Sequence, residues 1–228
     1  MTGPLEELGG GERFFHDRRD AGNALAKRLE HCRGSDALVL GLPRGGVPVA
    51  AEVARALGAE LDVLVSRKLG SPISAELAIG AVTANGGRFL NDDVIRDLDV
   101  SEAYLNAVTA AQRAEARRRE LMFRGPRPAP RIAGRTVILV DDGLATGATM
   151  RAAVRSVRQR KPGRLVVAVP VGSPQACAAL RSEADEVVCL NEPSYFGAVG
   201  SYYQDFRQIE DGEVLELLEE FAAAGPSR

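Results

Sequence analysis

Tryptophan is missing from the 228 residues, and cysteine (three), histidine (two) and aromatic residues in general (5%) are scarce. Three cysteines with no C-x-x-C pair cannot build a disulfide framework in a chain of this size, so Cys32, Cys177 and Cys189 read as reduced, partly buried thiols packing as small hydrophobes. His16 and His31 fit no metal-ligand spacing, and no dedicated protein metal ligand is expected. No stretch approaches the ~18 apolar residues of a membrane span, and the first residues lack the apolar run of a signal peptide. A cytoplasmic location without a membrane partner is therefore expected. Neither sign of charge is in excess, with 29 Lys and Arg against 31 Asp and Glu. That balance argues against a nucleic-acid partner and requires any anion site to be local.

What is present is an ordinary globular composition, 45% hydrophobic and 26% charged, with enough apolar surface for a sizeable core. The length suits a single domain over residues 1–228. Short apolar runs rich in Val, Ile and Leu at 37–42, 61–66, 136–140, 165–170 and 186–190 alternate with amphipathic segments at 47–57, 148–159 and 174–182. This alternation predicts βα units, and so an α/β fold with a doubly wound, mostly parallel sheet flanked by helices. Residues 77–83 and 87–90 flank Asn85-Gly86, which predicts a β-hairpin with a two-residue turn. Ser101 is placed to cap a long helix over 101–123 whose arginines Arg113, Arg117, Arg118 and Arg119 form a solvated or subunit-contacting face. Further helices are predicted over 14–28 and 211–223, and residues 191–206 hold an unusual share of the aromatics.

The chemistry concentrates where the apolar run 137–140 ends in Asp141 and Asp142, followed by a Gly, Ala and Thr turn and a helix starting near Ala148. Open α/β sheets bind ligands at the carboxyl ends of their strands, and a helix N-terminus presents backbone N–H groups to an anion. Thr146 and Thr149 add hydroxyl donors, and Gly147 permits a close backbone approach. Two carboxylates one step before a phosphate cradle suit a ribose 5-phosphate. A P-loop is a poor match, because Ala148 stands where that motif needs Lys.

Residues 137–149 resemble the ribose-phosphate motif of the type I phosphoribosyltransferases, an apolar strand, two acids, a short turn and Thr-Gly-x-Thr. The resemblance covers about 37–190 and implies a type I phosphoribosyltransferase core with a small hood from residues 1–30 and 191–228. It implies that Asp141 and Asp142 hold the ribose hydroxyls of phosphoribosyl pyrophosphate (PRPP), and that Ala145, Thr146, Gly147, Ala148 and Thr149 hold its 5-phosphate. Two more segments follow the family order. Arg44, Gly45 and Gly46 in GLPRGGVPVA resemble the pyrophosphate loop, and Arg67-Lys68 resembles a catalytic Arg-Lys pair facing the leaving group. Residues 69–76 take the place of the family's flexible lid, where Glu76 is a candidate for proton transfer, while Tyr195, Phe196 and Tyr202 are candidates to stack on an acceptor. An acidic base usual in enzymes acting on 6-oxopurines is replaced by Ala145, which argues against hypoxanthine or guanine. The resemblance implies transfer of ribose 5-phosphate from PRPP, accompanied by Mg²⁺, to a nitrogen nucleophile, expected to be a nucleobase, with release of pyrophosphate, and a homodimer is expected. The alternative is a non-catalytic PRPP-binding regulator of the same fold.

Overall fold

A computed structural model describes residues 14–75 and 77–224. Its centre is a five-stranded, fully parallel sheet in the order β2-β1-β6-β7-β8, with β1 Ala37–Gly41, β2 Glu60–Val63, β6 Thr136–Val140, β7 Arg164–Val171 and β8 Glu186–Asn191. The strands read as continuous apolar runs because both faces are covered. Alternate residues Val39, Ile138 and Val166 pack beneath α1 (Arg18–Arg28), α2 (Gly46–Leu57) and α7 (Asp211–Ala224). Their neighbours Leu38, Val137 and Leu165 pack beneath α5 (Ala148–Arg158) and α6 (Pro174–Arg181). The doubly wound core predicted from the alternating pattern is present.

A second sheet, antiparallel β3-β4-β5 (Ser66–Gly70, Ala78–Thr83, Arg88–Leu90), lies between α5 and the long α4 (Glu102–Arg124). Two boundaries differ from the sequence reading here. The run 61–66 is not one strand: the parallel sheet ends at Val63, buried Leu64 and Val65 carry the chain across, and Ser66 opens the antiparallel sheet. Because the crossing is buried, no polar turn residue marks it. The hairpin turn also holds three residues, since Thr83 N–H donates to the Gly87 carbonyl at 2.8 Å and only Gly86 takes a positive φ, at +89°. A three-residue loop closed by a left-handed glycine is the next commonest hairpin connection after the two-residue one. The six-residue α3 (Asp92–Asp97), capped by Asn91, had no counterpart in the periodicity.

At the amino end α1 starts at Arg18 rather than at residue 14, because the Asp17 carboxylate accepts from Asp20 N–H at 2.8 Å and fixes the first turn there. The preceding segment is extended and bridges Tyr203 from Phe15, with Phe15 N–H donating to the Tyr202 carbonyl at 2.9 Å. Phe15 thus packs with Phe196, Val199, Tyr202 and Tyr203 as one small layer against Val171 at the end of β7, while α7 packs into the main core. Among the described residues no helix is long and apolar enough to cross a membrane, and Cys32, Cys177 and Cys189 are all free thiols.

Candidate active site

Parallel pairing of β1 with β6 puts Gly41 opposite Val140, so the loops leaving both strands emerge side by side. Leu42 N–H donates to the Val140 carbonyl at 2.9 Å, and the 43–46 turn is then laid directly on the two aspartates. The peptide bond between Pro43 and Arg44 is cis. A methyl group at Gly45 would stand 1.9 Å from Asp142 Oδ2, and one at Gly46 would stand 2.7 Å from the Val140 carbonyl oxygen. Glycine is required at both places by close approach rather than by a positive φ.

Asp141 and Asp142 are half-buried, and Asp142 N–H donates to Asp141 Oδ1 at 2.9 Å. Burial pushes the Asp141 carboxyl well above the usual carboxylate range, and the neighbouring charge of Asp142 pushes it further. Burial also raises Asp142, but here the Arg18 guanidinium opposes it. Arg18 Nε donates to Asp142 Oδ2 at 2.8 Å, its NH1 donates to the Arg207 carbonyl at 2.9 Å, and its guanidinium carbon lies 4.0 Å from the centre of the Phe206 ring. On the backbone side, Tyr203 Oη donates to the Asp142 carbonyl at 2.6 Å, and burial holds that phenol above its ordinary range. The acidic pair is therefore gripped from several sides: Asp142 is neutralised by Arg18 of α1, and the Asp141 carboxylate accepts from the Asp142 N–H beneath the Gly46 turn.

Beyond the acids, α5 begins at Ala148 after Gly147, which takes φ +73° as the N-cap and carries no side-chain cap. No acidic residue occupies the first turn, so the first N–H groups and the positive end of the helix dipole are available to an anion. Thr146 Oγ1 accepts from Ala148 N–H at 3.5 Å, and Ala145 holds its carbonyl toward Ser173, whose Oγ donates to it at 2.6 Å. Ser173 also caps α6, so the cradle and the start of α6 are tied together.

The remaining candidates are dispersed. Arg44 turns toward α7, with its NH1 3.6 Å from Glu210 Oε2 and 3.7 Å from Asp211 Oδ1. Arg67 and Lys68 lie within β3 rather than at a strand end, so their side chains leave opposite faces of the sheet. Arg67 Nε donates to Gln112 Oε1 on α4 at 3.1 Å. Lys68 pairs in register with Ala81, which packs on Ala148 and Ala152, so Lys68 shares the face that meets α5. Glu76 lies outside the described residues. In the hood, Tyr195 is 87% exposed, whereas Tyr202 is buried with its ring 6.0 Å from Phe14 and 5.9 Å from Phe196, both stacked. Tyr202 is thus a buried packing residue in contact with Phe14 and Phe196, and is not available to take an acceptor. Arg18, Tyr203 and Ser173 escaped the sequence reading. Nothing in HDRRD singles out Arg18, which meets its partner across 124 positions.

Residues 16–207 match the phosphoribosyl transferase domain profile. A Mycobacterium tuberculosis protein provisionally named a phosphoribosyl transferase, known from two strains, is 48% identical over 217 residues, which cover 93% of this chain. The chain spans about half of that relative's length, 49%. A Thermus thermophilus protein of known crystal structure is 48% identical, superposes with a TM-score of 0.77 and covers 91% of this chain and 99% of its own. An Aquifex aeolicus structure at 12% identity, TM-score 0.51, with 80% of this chain and 78% of its own covered, shares the fold. With the diacid strand end, the glycine turn pressed against it and the helix behind it all falling inside the matched region, the chain belongs to the phosphoribosyl transferase domain family.

Proposed function

We propose that this chain binds PRPP and transfers its ribose 5-phosphate to a nitrogen nucleophile with release of pyrophosphate. The observation that carries this reading is the Asp141-Asp142 pair at the end of β6, one turn before the uncapped amino end of α5 and under the Gly45-Gly46 loop. The carboxylates accept from the ribose 2- and 3-hydroxyls, and the backbone of residues 145–149 with the Thr146 and Thr149 hydroxyls receives the 5-phosphate. The loop at 43–46 offers backbone to the pyrophosphate, and Lys68 adds a cation from the α5 side of β3.

Mg²⁺ fits this donor set, because two half-buried carboxylates, only one of them neutralised by Arg18, are hard oxygen ligands beside the expected pyrophosphate. Bound with PRPP, Mg²⁺ would spread the negative charge that develops on the leaving pyrophosphate. The chain itself orients the ribose through Asp141 and Asp142 and anchors the phosphate at α5, and the segment after β3 takes the lid's part of shielding the reacting carbon from water. Tyr195, which is exposed, and Phe196, which stacks on Tyr202, are the rings this reading assigns to a planar acceptor. Ala145, exposed where an acidic base would stand, supports an acceptor other than a 6-oxopurine.

A second reading, PRPP binding without turnover, is favoured by Arg67 and Arg44 being engaged with Gln112 and with Glu210 and Asp211 instead of facing the cradle. Calorimetry of PRPP binding with and without Mg²⁺, followed by pyrophosphate release against a panel of nucleobases and small amines, separates the two. Magnesium-dependent binding with release supports the transferase; binding without release under every acceptor supports the regulator; absence of binding refutes both.

A further inference from the structure

Three potential metal ligands that are scattered in sequence converge at the far side of the anion cradle. Cys177 lies on the first turns of α6, Cys189 near the end of β8, and Glu192 just beyond it; the two Sγ atoms and a Glu192 carboxylate oxygen all lie within 4.8 Å of one another. We propose that Cys177, Cys189 and Glu192 form a binding site for a thiophilic divalent cation, zinc by preference. Tetrahedral zinc with ~2.3 Å bonds to sulfur holds its ligand atoms ~3.8 Å apart, so an inward adjustment of about an ångström closes the present triangle. Two thiolates and one carboxylate leave a fourth position for water, reached from the side where Cys189 and Glu192 are partly exposed. Binding releases the two thiol protons to solvent and changes no oxidation state.

The surroundings are arranged for such a site. Cys177 is fully buried, whereas Cys189 and Glu192 are partly exposed. Gly172 keeps the space between strand and helix open, since a methyl group there would stand 2.6 Å from Cys177 Sγ and 3.3 Å from Cys189 Sγ. Arg181 pairs with Glu192 Oε1 and orients the carboxylate, the part that an outer-shell partner plays around a metal. The Cys189 thiol donates to the Asn191 carbonyl oxygen at 3.2 Å, a hydrogen bond that is given up when the metal replaces its proton.

The site is also joined to the cradle. Ser173, one turn before Cys177, donates from its backbone N–H to the Leu144 carbonyl at 2.9 Å and from Oγ to the Ala145 carbonyl. An ion bridging α6 to β8 therefore fixes the helix on which the 144–145 backbone leans.

The test uses the full chain, reduced and stripped with a chelator, titrated with Co²⁺ as a spectroscopic probe and then with Zn²⁺ in competition. One equivalent of Co²⁺ should give a thiolate-to-cobalt charge-transfer band that Zn²⁺ removes. Cys189→Ala should abolish the band, Glu192→Gln should weaken affinity by more than the ~10-fold that losing an outer-shell partner costs, and Cys32→Ser should change nothing. Glu192 is partly exposed and its replacement leaves the core intact, so that variant decides the matter even where Cys189→Ala fails to fold. A wild-type protein without the band, or unchanged affinity in either ligand variant, overturns the proposal.

Discussion

Asn at position 141 and Asn at position 142 should move stability in opposite directions, although both remove a carboxylate from one dipeptide. Asp142 is the partner of Arg18, which is almost fully buried and has its other contacts to the Arg207 carbonyl and the Phe206 ring. A hydrogen bond to a charged group contributes about 1.5–3 kcal/mol. For a chain of this length each kcal/mol moves Tm by roughly 2–4 °C, so Asp142→Asn should lower it by about 3–12 °C. The lower end is expected, because the substitution also relieves repulsion on Asp141 and leaves an oxygen for Arg18. Asp141 accepts from the Asp142 N–H but makes no direct ion pair among the described residues. Burial and the charge of Asp142 raise its pKa well above the usual range, whereas the rise at Asp142 is opposed by Arg18 in contact with it, so the ionised form of Asp141 is the more destabilising of the two. Asp141→Asn should therefore stabilise by about 0.5–2 kcal/mol, as replacements of strained functional residues commonly do, or ~1–8 °C. The pH dependence fixes the cause. A carboxyl whose folded pKa is raised favours the folded state below the unfolded value of about 3.9 and loses that advantage as pH rises through the raised value. The gain from Asp141→Asn should accordingly be present at neutral pH and vanish toward pH 4. Thermal unfolding of both variants across that range, beside calorimetric PRPP binding that both should weaken, is the assay. Equal destabilisation by both at neutral pH would refute the division of roles.

Gly45→Ala should cost about 1–3 kcal/mol, since its methyl group would overlap Asp142 Oδ2, and should weaken PRPP binding even in variants that remain folded; thermal unfolding and calorimetry read the two effects. Lys68→Ala should lower turnover by ~10²-fold, whereas Arg67→Ala, which loses only its bond to Gln112, should change it by far less. Equal losses in pyrophosphate release would show that Arg67 turns toward the substrate during the reaction. Away from the site, Arg124→Met leaves Asp62 and Glu120 without their shared buried cation, at a cost of about 3–5 kcal/mol at neutral pH. Burial already raises both carboxyls, so the deficit should shrink as pH falls through their raised values, which denaturant unfolding at several pH values would show.

The parts of this protein that sequence reveals are those built from neighbours along the chain. The period and length of the apolar runs gave the strand positions because each strand of the parallel sheet is buried on both faces, and DDGLATGAT announces itself because acids, turn and helix start are contiguous. Contiguity fails where the fold turns a corner under cover. Leu64 and Val65 are as apolar as the strand they leave, so the passage to the second sheet is invisible, and with it the divergence of Arg67 from Lys68. It fails again where a residue matters for what it meets: Arg18 looks like any helix-surface arginine until the hood lays it on Asp142. The physical consequence is that the layer around Phe15 and Tyr203 fixes Asp142 from two sides. Arg18 and Tyr203 belong to the two ends of the described chain, are layered together through the Phe15 bridge to Tyr203, and hold respectively the side chain and the carbonyl of Asp142. Any movement of that layer must therefore act on Asp142 directly. On the proposed reading of Asp142 as a ribose ligand, the Arg18 ion pair and the Tyr203 hydrogen bond together would tie movement of this layer to PRPP affinity.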